Sequence, residues 1–177
     1  MKALGTSAPD FTLPDVVTGA LVSRDQVAGP KGMLVMFICR HCPFVQHVQH
    51  ELARIGRDYQ GRGVGIAAIS ANDVTSHPED SPIKLSGQAR ELDFRFPYLF
   101  DESQDVARAY DAQCTPDFFL YDARGALVYR GQLDDSRPGN DVPVTGRDLR
   151  AALDAVITGA PLPSVQRPSI GCNIKWR

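Results

Sequence analysis

The sequence predicts an α/β protein with a mixed central sheet and helices on both faces. Residues 33–38 form an apolar run without a polar side chain, which is typical of a strand buried on both faces. Residues 64–70 form a second such run, and the helical periodicity of residues 43–60 completes a βαβ unit. Residues 117–121 and 126–130 flank a turn with glycine and predict an antiparallel hairpin. The sheet is therefore expected to contain parallel and antiparallel strands.

The helix over residues 43–60 is predicted by one apolar stripe. Its members recur at spacings of three and four, which places them on one helical face: Val45, Val48, Leu52, Ile55 and Tyr59. Gly61 and Gly63 follow and favour the end of the helix at that point.

Shorter signals predict the elements around this unit. Residues 1–30 are rich in Pro, Gly and Asp and predict a small hairpin or an extended arm. Ser81 followed by Pro82 predicts the start of a helix, with the serine as its cap. Residues 96–100 predict a short strand.

Two further helices are predicted from their caps. Asp101 or Ser103 is expected to cap a short helix. Thr145 with Asp148 resembles a capping box that opens the last helix, and Gly159 is expected to end it.

The length of the chain indicates one domain over residues 1–177, and three prolines predict an extended tail at 160–177. A net charge of −2 and a pI near 6.1 argue against nucleic acid or an anionic membrane as partner. The chain has no apolar stretch of the ~20 residues that span a bilayer, and its start lacks a signal-peptide core. We therefore expect a cytoplasmic protein. Its four cysteines are too few for a disulfide scaffold.

The most informative motif is the tetrad Cys39-Arg40-His41-Cys42, at the junction of the first buried strand and its helix. A C-x-x-C at a helix N-terminus favours thiolate and reversible disulfide chemistry. We expect Cys39 to be the exposed attacking thiol and Cys42 to be the shielded resolving thiol, one turn inside the helix. The cationic side chains of Arg40 and His41 are expected to lower the thiol pKa and make the pair more oxidising.

A metal site is the alternative interpretation of these cysteines. His47 and His50 lie close to the tetrad in sequence, but on the polar side of the predicted helix. We therefore expect them, like His77, to be solvated, and we expect neither a bound metal nor an organic cofactor.

A second signal is Thr115-Pro116, directly before a predicted strand. Proline lacks an N–H for the sheet ladder and suits the first position of a strand. By itself this dipeptide is only a weak indication of a functional site.

Together these motifs resemble the thioredoxin superfamily, in particular its peroxiredoxin-like or redoxin branch, and the resemblance implies a domain core at about residues 8–158. Residues 8–15 resemble the N-terminal arm of that branch, residues 105–110 a later helix, and residues 115–120 its cis-proline strand. Residues 171–176 resemble the end of a group of poorly characterised thioredoxin-like proteins.

The resemblance implies a thioredoxin fold and a thiol-disulfide oxidoreductase with antioxidant activity. It implies a cis peptide at Thr115-Pro116 and a substrate chain that pairs with Thr115 beside Cys39. Substrates would be protein or small-molecule disulfides, and the reductant a thioredoxin or a low-molecular-weight thiol. Ile38 and Met33 replace the Trp and the buried Asp of many thioredoxins, so the proton acceptor for Cys42 is unassigned.

Two alternatives within this resemblance stay open. In a peroxiredoxin alignment Cys42 takes the attacking position, but Cys39 and Val35 replace the Thr and Pro of the signature. A copper-handling module of the Sco type shares the fold but uses a longer C-x-x-x-C.

Two cysteines lie outside the tetrad. Cys114 precedes Thr115 and is either a small buried residue or a third thiol. Cys172 lies in the tail and is expected to be structural or idle, although a Cys114–Cys172 bridge is conceivable. Trp176 is expected to anchor the tail in an apolar groove.

Overall fold

The computed structural model describes residues 2–177 and has a five-stranded central sheet with strand order β5-β4-β3-β7-β8. The strands are β1 (Thr12–Pro14), β2 (Leu21–Ser23), β3 (Gly32–Phe37), β4 (Val64–Ser70), β5 (Tyr98–Phe100), β6 (Cys114–Thr115), β7 (Asp117–Asp122), β8 (Leu127–Gly131) and β9 (Cys172–Asn173). Strands β3, β4 and β5 are parallel, whereas β7 and β8 are antiparallel to their neighbours. The predicted mixed sheet is confirmed.

The helices are α1 (Arg24–Val27), α2 (Pro43–Tyr59), α3 (Pro82–Glu91), α4 (Asp105–Tyr110) and α5 (Arg147–Thr158). Among residues 2–177, no helix is long and apolar enough to cross a membrane. The predicted range of residues 43–60 for α2 and the predicted start of α3 at Pro82 agree with the structure to within one residue. Strands β1 and β2 pair as the hairpin expected in the N-terminal arm.

Strand β3 lies at the centre of the sheet, and both of its faces are buried. Leu34 and Met36 belong to one apolar cluster, which also contains the stripe of α2. Val35 and Phe37 belong to a second cluster, which contains α1 and α4 residues. Because strand side chains alternate between faces, two cores on opposite sides explain why the run contains no polar residue.

The predicted capping box of the last helix is wrong. Helix α5 begins at Arg147, and its N-cap is Gly146 in a left-handed conformation with φ of 69°. The backbone N–H groups of Thr145 and Gly146 donate to the buried carboxylate of Asp134 at 2.8 and 2.7 Å. A carboxylate from a preceding loop therefore binds the N–H groups at this turn.

The tail is ordered and returns to the body of the protein. Its strand β9 pairs antiparallel with β6, with Cys114 opposite Asn173 and Thr115 opposite Cys172. Ile174 is 1% exposed and anchors the tail in the core, whereas Trp176 is 42% exposed and stacks under Arg108. The expectation that Trp176 is the apolar anchor is therefore wrong.

Candidate functional site

The tetrad and the Thr115-Pro116 peptide meet at the N-terminus of α2. The peptide bond between Thr115 and Pro116 is cis. The Cys39 sulfur lies 3.5 Å from Thr115 Oγ1, and the Cys42 sulfur lies 3.4 Å from the Thr115 carbonyl oxygen. The fold thus brings the two sequence signals, about 75 residues apart, into one site.

The positions of the two tetrad cysteines differ from the prediction. Cys39 is 0% exposed, because the chain continues along the sheet past β3 and Ile38 donates its N–H to Ile69 at 3.0 Å. Cys42 is also 0% exposed and is the N-cap residue of α2, not a residue one turn inside it. The expectations of an exposed Cys39 and of an internal Cys42 are wrong, because the helix begins at Pro43.

The electrostatics of the pair favour a thiolate on Cys42. A hydrogen bond from the Cys39 thiol lowers the pKa of Cys42 to about 4, against the opposing effect of burial. A hydrogen bond from the thiol of Cys172 contributes in the same direction. The pKa of Cys39 is raised, because its proton is held by Cys42 and because burial and the charge of Asp80 disfavour a second thiolate.

Asp80 holds the middle of the tetrad in place. Its carboxylate is fully buried and accepts the backbone N–H groups of Arg40 at 2.8 Å and His41 at 3.0 Å. Its second oxygen bonds the His41 ring at Nδ1 and accepts from Asn72 at 2.9 Å. One carboxylate, itself held by Asn72, therefore fixes the backbone between the two cysteines.

The charge of Arg40 is compensated locally. Its guanidinium forms an ion pair with Glu79, which also lies 3.7 Å from Lys84. Gln46 and Gln88 bind the tetrad carbonyls instead: Gln46 donates to the Arg40 oxygen at 3.0 Å and Gln88 to the Cys39 oxygen at 3.3 Å.

Cys39, His41 and Asp80 form a group whose ligand atoms lie within 4.8 Å of one another, which is close enough for one metal ion. Both oxygens of Asp80 already accept hydrogen bonds from backbone and side-chain donors. The Asp80 carboxylate is therefore bound by hydrogen-bond donors of the protein, and it positions the backbone of Arg40 and His41 and the His41 ring.

The other histidines are less solvated than the helical pattern indicated. His47 is half-buried, and its Nε2 lies 2.7 Å from Ser136 Oγ, so the expectation for His47 is wrong. His77 is half-buried as well, with its ring 4.7 Å from that of His41. His50 is exposed, as expected.

Cys114 and Cys172 take different positions relative to the tetrad. Cys114 is buried, and its thiol donates to the Pro116 oxygen at 3.6 Å. Burial raises the pKa of Cys114 to about 12. The thiol of Cys172 interacts with Cys42 and with the backbone N–H of Phe44. Its pKa is raised to about 11, first by burial and then by the hydrogen bond and charge of Cys42.

Asp80, Asn72 and Gln88 are among the site residues that were not found from the sequence. None lies in a motif with the tetrad, and each reaches it only through the fold. The thioredoxin-type position of Met33 is buried on the second face of β3, away from the cluster that holds both tetrad cysteines.

The sequence pattern of the AhpC/TSA family matches residues 4–130 of this chain, which include the whole tetrad and Thr115-Pro116. A comparison with curated proteins gives no significant match.

Solved structures share the same architecture. An uncharacterised conserved protein from Geobacillus kaustophilus is 54% identical with a TM-score of 0.98, covering 100% of this chain and 94% of the other. A hypothetical protein from Sinorhizobium meliloti 1021 is 48% identical with a TM-score of 0.97, covering 100% and 96%. A thiol:disulfide interchange protein of the thioredoxin family from Chlorobium tepidum TLS is 17% identical with a TM-score of 0.64, covering 90% and 99%.

The distant similarity supports the thioredoxin fold, and the family match supports a thiol-disulfide oxidoreductase or peroxidase-like role. With a helix N-terminus, a pair of thiols and a cis-proline strand in contact, the chain belongs to the AhpC/TSA family, in the redoxin branch of the thioredoxin superfamily.

Proposed function

We propose that the protein catalyses dithiol–disulfide exchange, with Cys42 as the attacking thiolate and Cys39 as the resolving thiol. The observation that carries this assignment is the position of Cys42 at the N-cap of α2, where the thiols of Cys39 and Cys172 lower the pKa of Cys42. These roles reverse those expected from the sequence. Cys39 keeps its proton and serves as a hydrogen-bond donor until the attack has occurred.

The reaction consists of two exchanges. The Cys42 thiolate attacks one sulfur of a disulfide RSSR, which forms a Cys42–SR bond and releases RS⁻. Cys39 then loses its proton and attacks the Cys42 sulfur, which releases the second RS⁻ and closes a Cys39–Cys42 disulfide. An external thiol or a thioredoxin-type dithiol returns the two electrons in the reverse sequence.

The pair formed by His41 and Asp80 is suited to accept the proton of Cys39. A ring nitrogen of His41 and a carboxylate oxygen of Asp80 each lie within 4.8 Å of the Cys39 sulfur. Asp80 bonds Nδ1 of the ring, an arrangement that orients the imidazole and stabilises it when protonated. Met33 stands where many thioredoxins have a buried Asp, so the proton acceptor of the resolving thiol was unassigned. We propose the pair of His41 and Asp80 for this role.

The surroundings of Thr115 favour small disulfides as substrates. The backbone edge of Thr115, where a substrate chain was expected to pair, is occupied by Cys172 of β9. An extended protein chain therefore has to displace the tail before it can bind there. A low-molecular-weight disulfide needs only a smaller opening to reach Cys42.

Turnover of glutathione disulfide and of insulin by Cys42→Ser, Cys39→Ser and Cys114→Ser variants tests this proposal. We expect Cys42→Ser to be inactive and Cys39→Ser to stop at a mixed disulfide on Cys42. Cys114→Ser is the matched control and should retain activity, because its thiol donates to the Pro116 oxygen and projects away from the tetrad. Trapping through Cys39 in the Cys42→Ser variant would instead restore the roles expected from the sequence.

A peroxidase is the second candidate, because the matched family and the helix N-cap position of Cys42 also suit attack on a peroxide. Cys39 occupies the position at which the peroxiredoxin signature has its threonine hydroxyl. We therefore expect slower consumption of hydrogen peroxide than of disulfide at equal enzyme concentration. Faster peroxide consumption that depends on Cys42 but not on Cys39 would favour the peroxidase.

A further inference from the structure

The tail places a third thiol beside Cys42. In the pairing of β6 with β9, Cys172 lies opposite Thr115. Residues opposite each other in an antiparallel pair project to the same face. The Thr115 side chain projects to Cys39, and its carbonyl oxygen lies 3.4 Å from the Cys42 sulfur. Cys172 therefore faces the reactive pair.

The same register separates Cys114 from Cys172. Cys114 lies opposite Asn173, one residue out of step, so its thiol projects to the other face of the two-stranded pair. A Cys114–Cys172 bridge does not fit this arrangement. Cys172 is instead half-buried and packs against the apolar cluster that contains Cys39 and Cys42.

Cys172 is held in place from both sides along the chain. A Cβ atom on Gly171 would lie 2.0 Å from the Thr115 oxygen, so the tail backbone is in close contact with the site. Beyond Cys172, the Lys175 N–H donates to Asn72 at 2.8 Å, and Gln104 donates to the Lys175 oxygen at 2.9 Å. The tail therefore returns Cys172 to one position whenever it docks.

Access to Cys42 and the position of Cys172 are coupled. Cys42 is fully buried while the tail is docked, so a disulfide reaches it only when the covering structure moves. Re-docking of the tail brings Cys172 back onto the modified Cys42. In that state Cys42 has lost its negative charge, which removes one of the effects that raise the pKa of Cys172.

We propose that Cys172 is a second resolving thiol, which attacks the Cys42 mixed disulfide from the docking tail and competes with Cys39. The inference rests on the proposed function. Cys172 loses its proton to solvent, its sulfur bonds the Cys42 sulfur, and the Cys42–SR bond breaks with release of RS⁻. The product is a Cys42–Cys172 disulfide that fixes the tail across Thr115 until an external thiol reduces it.

The test follows one mixed disulfide in two variants. Reduced Cys39→Ser protein and the Cys39→Ser/Cys172→Ser double variant are mixed with glutathione disulfide, quenched by acid and analysed by intact and peptide mass spectrometry. We expect the first to lose glutathione and give linked Cys42 and Cys172 peptides. The double variant should keep the adduct on Cys42 at least about tenfold longer, because an intramolecular thiol acts at an effective concentration of roughly millimolar or more.

Two controls make the result specific. Cys39→Ser/Cys114→Ser should still form the Cys42–Cys172 link. Cys39→Ser/Cys172→Ala, checked by circular dichroism, repeats the measurement should the serine disturb the tail.

Equal adduct lifetimes with and without Cys172 would overturn the inference and leave the proposed function intact. If no variant formed an adduct or disulfide on Cys42, both would fail.

Discussion

The carboxylate of Asp80 accepts both the backbone N–H of His41, at 3.0 Å, and a hydrogen bond at Nδ1 of its ring. One buried side chain thus sets the backbone conformation and the ring orientation of a residue between the two cysteines. The chain between Cys39 and Cys42 is fixed by the loop before α3, and not only by α2.

Replacement of Asp80 by Asn should destabilise the protein by about 1–3 kcal/mol. The amide has one acceptor atom where the carboxylate has two, so at least one buried donor loses its partner. Urea unfolding of the reduced protein measures the change. Glu79→Gln is the control: its exposed ion pair with Arg40 should contribute at most about 1 kcal/mol. Equal stability of Asp80→Asn and wild type would contradict the role given to this network.

The Cys42 thiolate should be visible by ultraviolet absorbance in the reduced protein, with a midpoint of about pH 4 rather than the 9.0 of an ordinary thiol. The signal should be absent over this range in Cys42→Ser. Cys39→Ala should shift the midpoint upward, because the methyl group that replaces the thiol cannot donate a hydrogen bond to Cys42.

The same pKa predicts a dependence of stability on pH. The folded pKa of Cys42 lies below its unfolded value, so the stabilisation is complete above about pH 9 and is lost as pH falls toward 4. The difference in unfolding free energy between wild type and Cys42→Ser should therefore decrease across this window. A constant difference would exclude a depressed pKa.

Thr115→Val should raise the pKa of both tetrad cysteines, because the Thr115 hydroxyl lowers each of them. A hydrogen bond worth about 1 kcal/mol corresponds to a roughly fivefold slower attack of Cys42 on glutathione disulfide at a pH well below both midpoints. Thr115→Ser keeps the hydroxyl and is the matched control. If both variants reacted at the wild-type rate, the contact at 3.5 Å would have no influence on reactivity.

Gly171→Ala should release the tail. The new Cβ would meet the Thr115 oxygen at 2.0 Å and its carbonyl carbon at 2.6 Å, and neither backbone atom can move aside cheaply. We expect Cys42 to react with a maleimide at least about tenfold faster, as docking weakens by about 1.4 kcal/mol or more. Gly87→Ala, in α3 with no atom within 4 Å of its Cβ, is the control and should leave the rate unchanged.

The sequence allowed much of this fold to be predicted, because its strongest signals are local. The βαβ unit follows from two apolar runs and one amphipathic stripe, and the α2 start was marked by Pro43, a residue favoured at the first helical position. That proline already implied Cys42 as the N-cap. The cis peptide at Thr115-Pro116 was implied by the family resemblance alone.

The remaining parts of the site depend on contacts between distant segments. Asp80 reaches the tetrad across 39 and 40 positions, and Lys175 reaches Asn72 across 103. No periodicity or spacing reports such contacts in a single sequence. For the same reason, the sequence did not predict that the Cys172 side chain faces the tetrad. That direction depends on the register of two strands of two residues each.

The burial of Cys42 beside the docked tail also affects how readily its sulfur is oxidised. A thiolate reacts readily with oxidants and passes through sulfenic acid to sulfinic and sulfonic acids, the last of which is irreversible. Cys42 is fully buried in this structure, and Cys172 of the docked tail lies against it. We therefore expect a chain shortened at its C-terminus to lose the Cys42 thiol to oxidation faster than the intact chain.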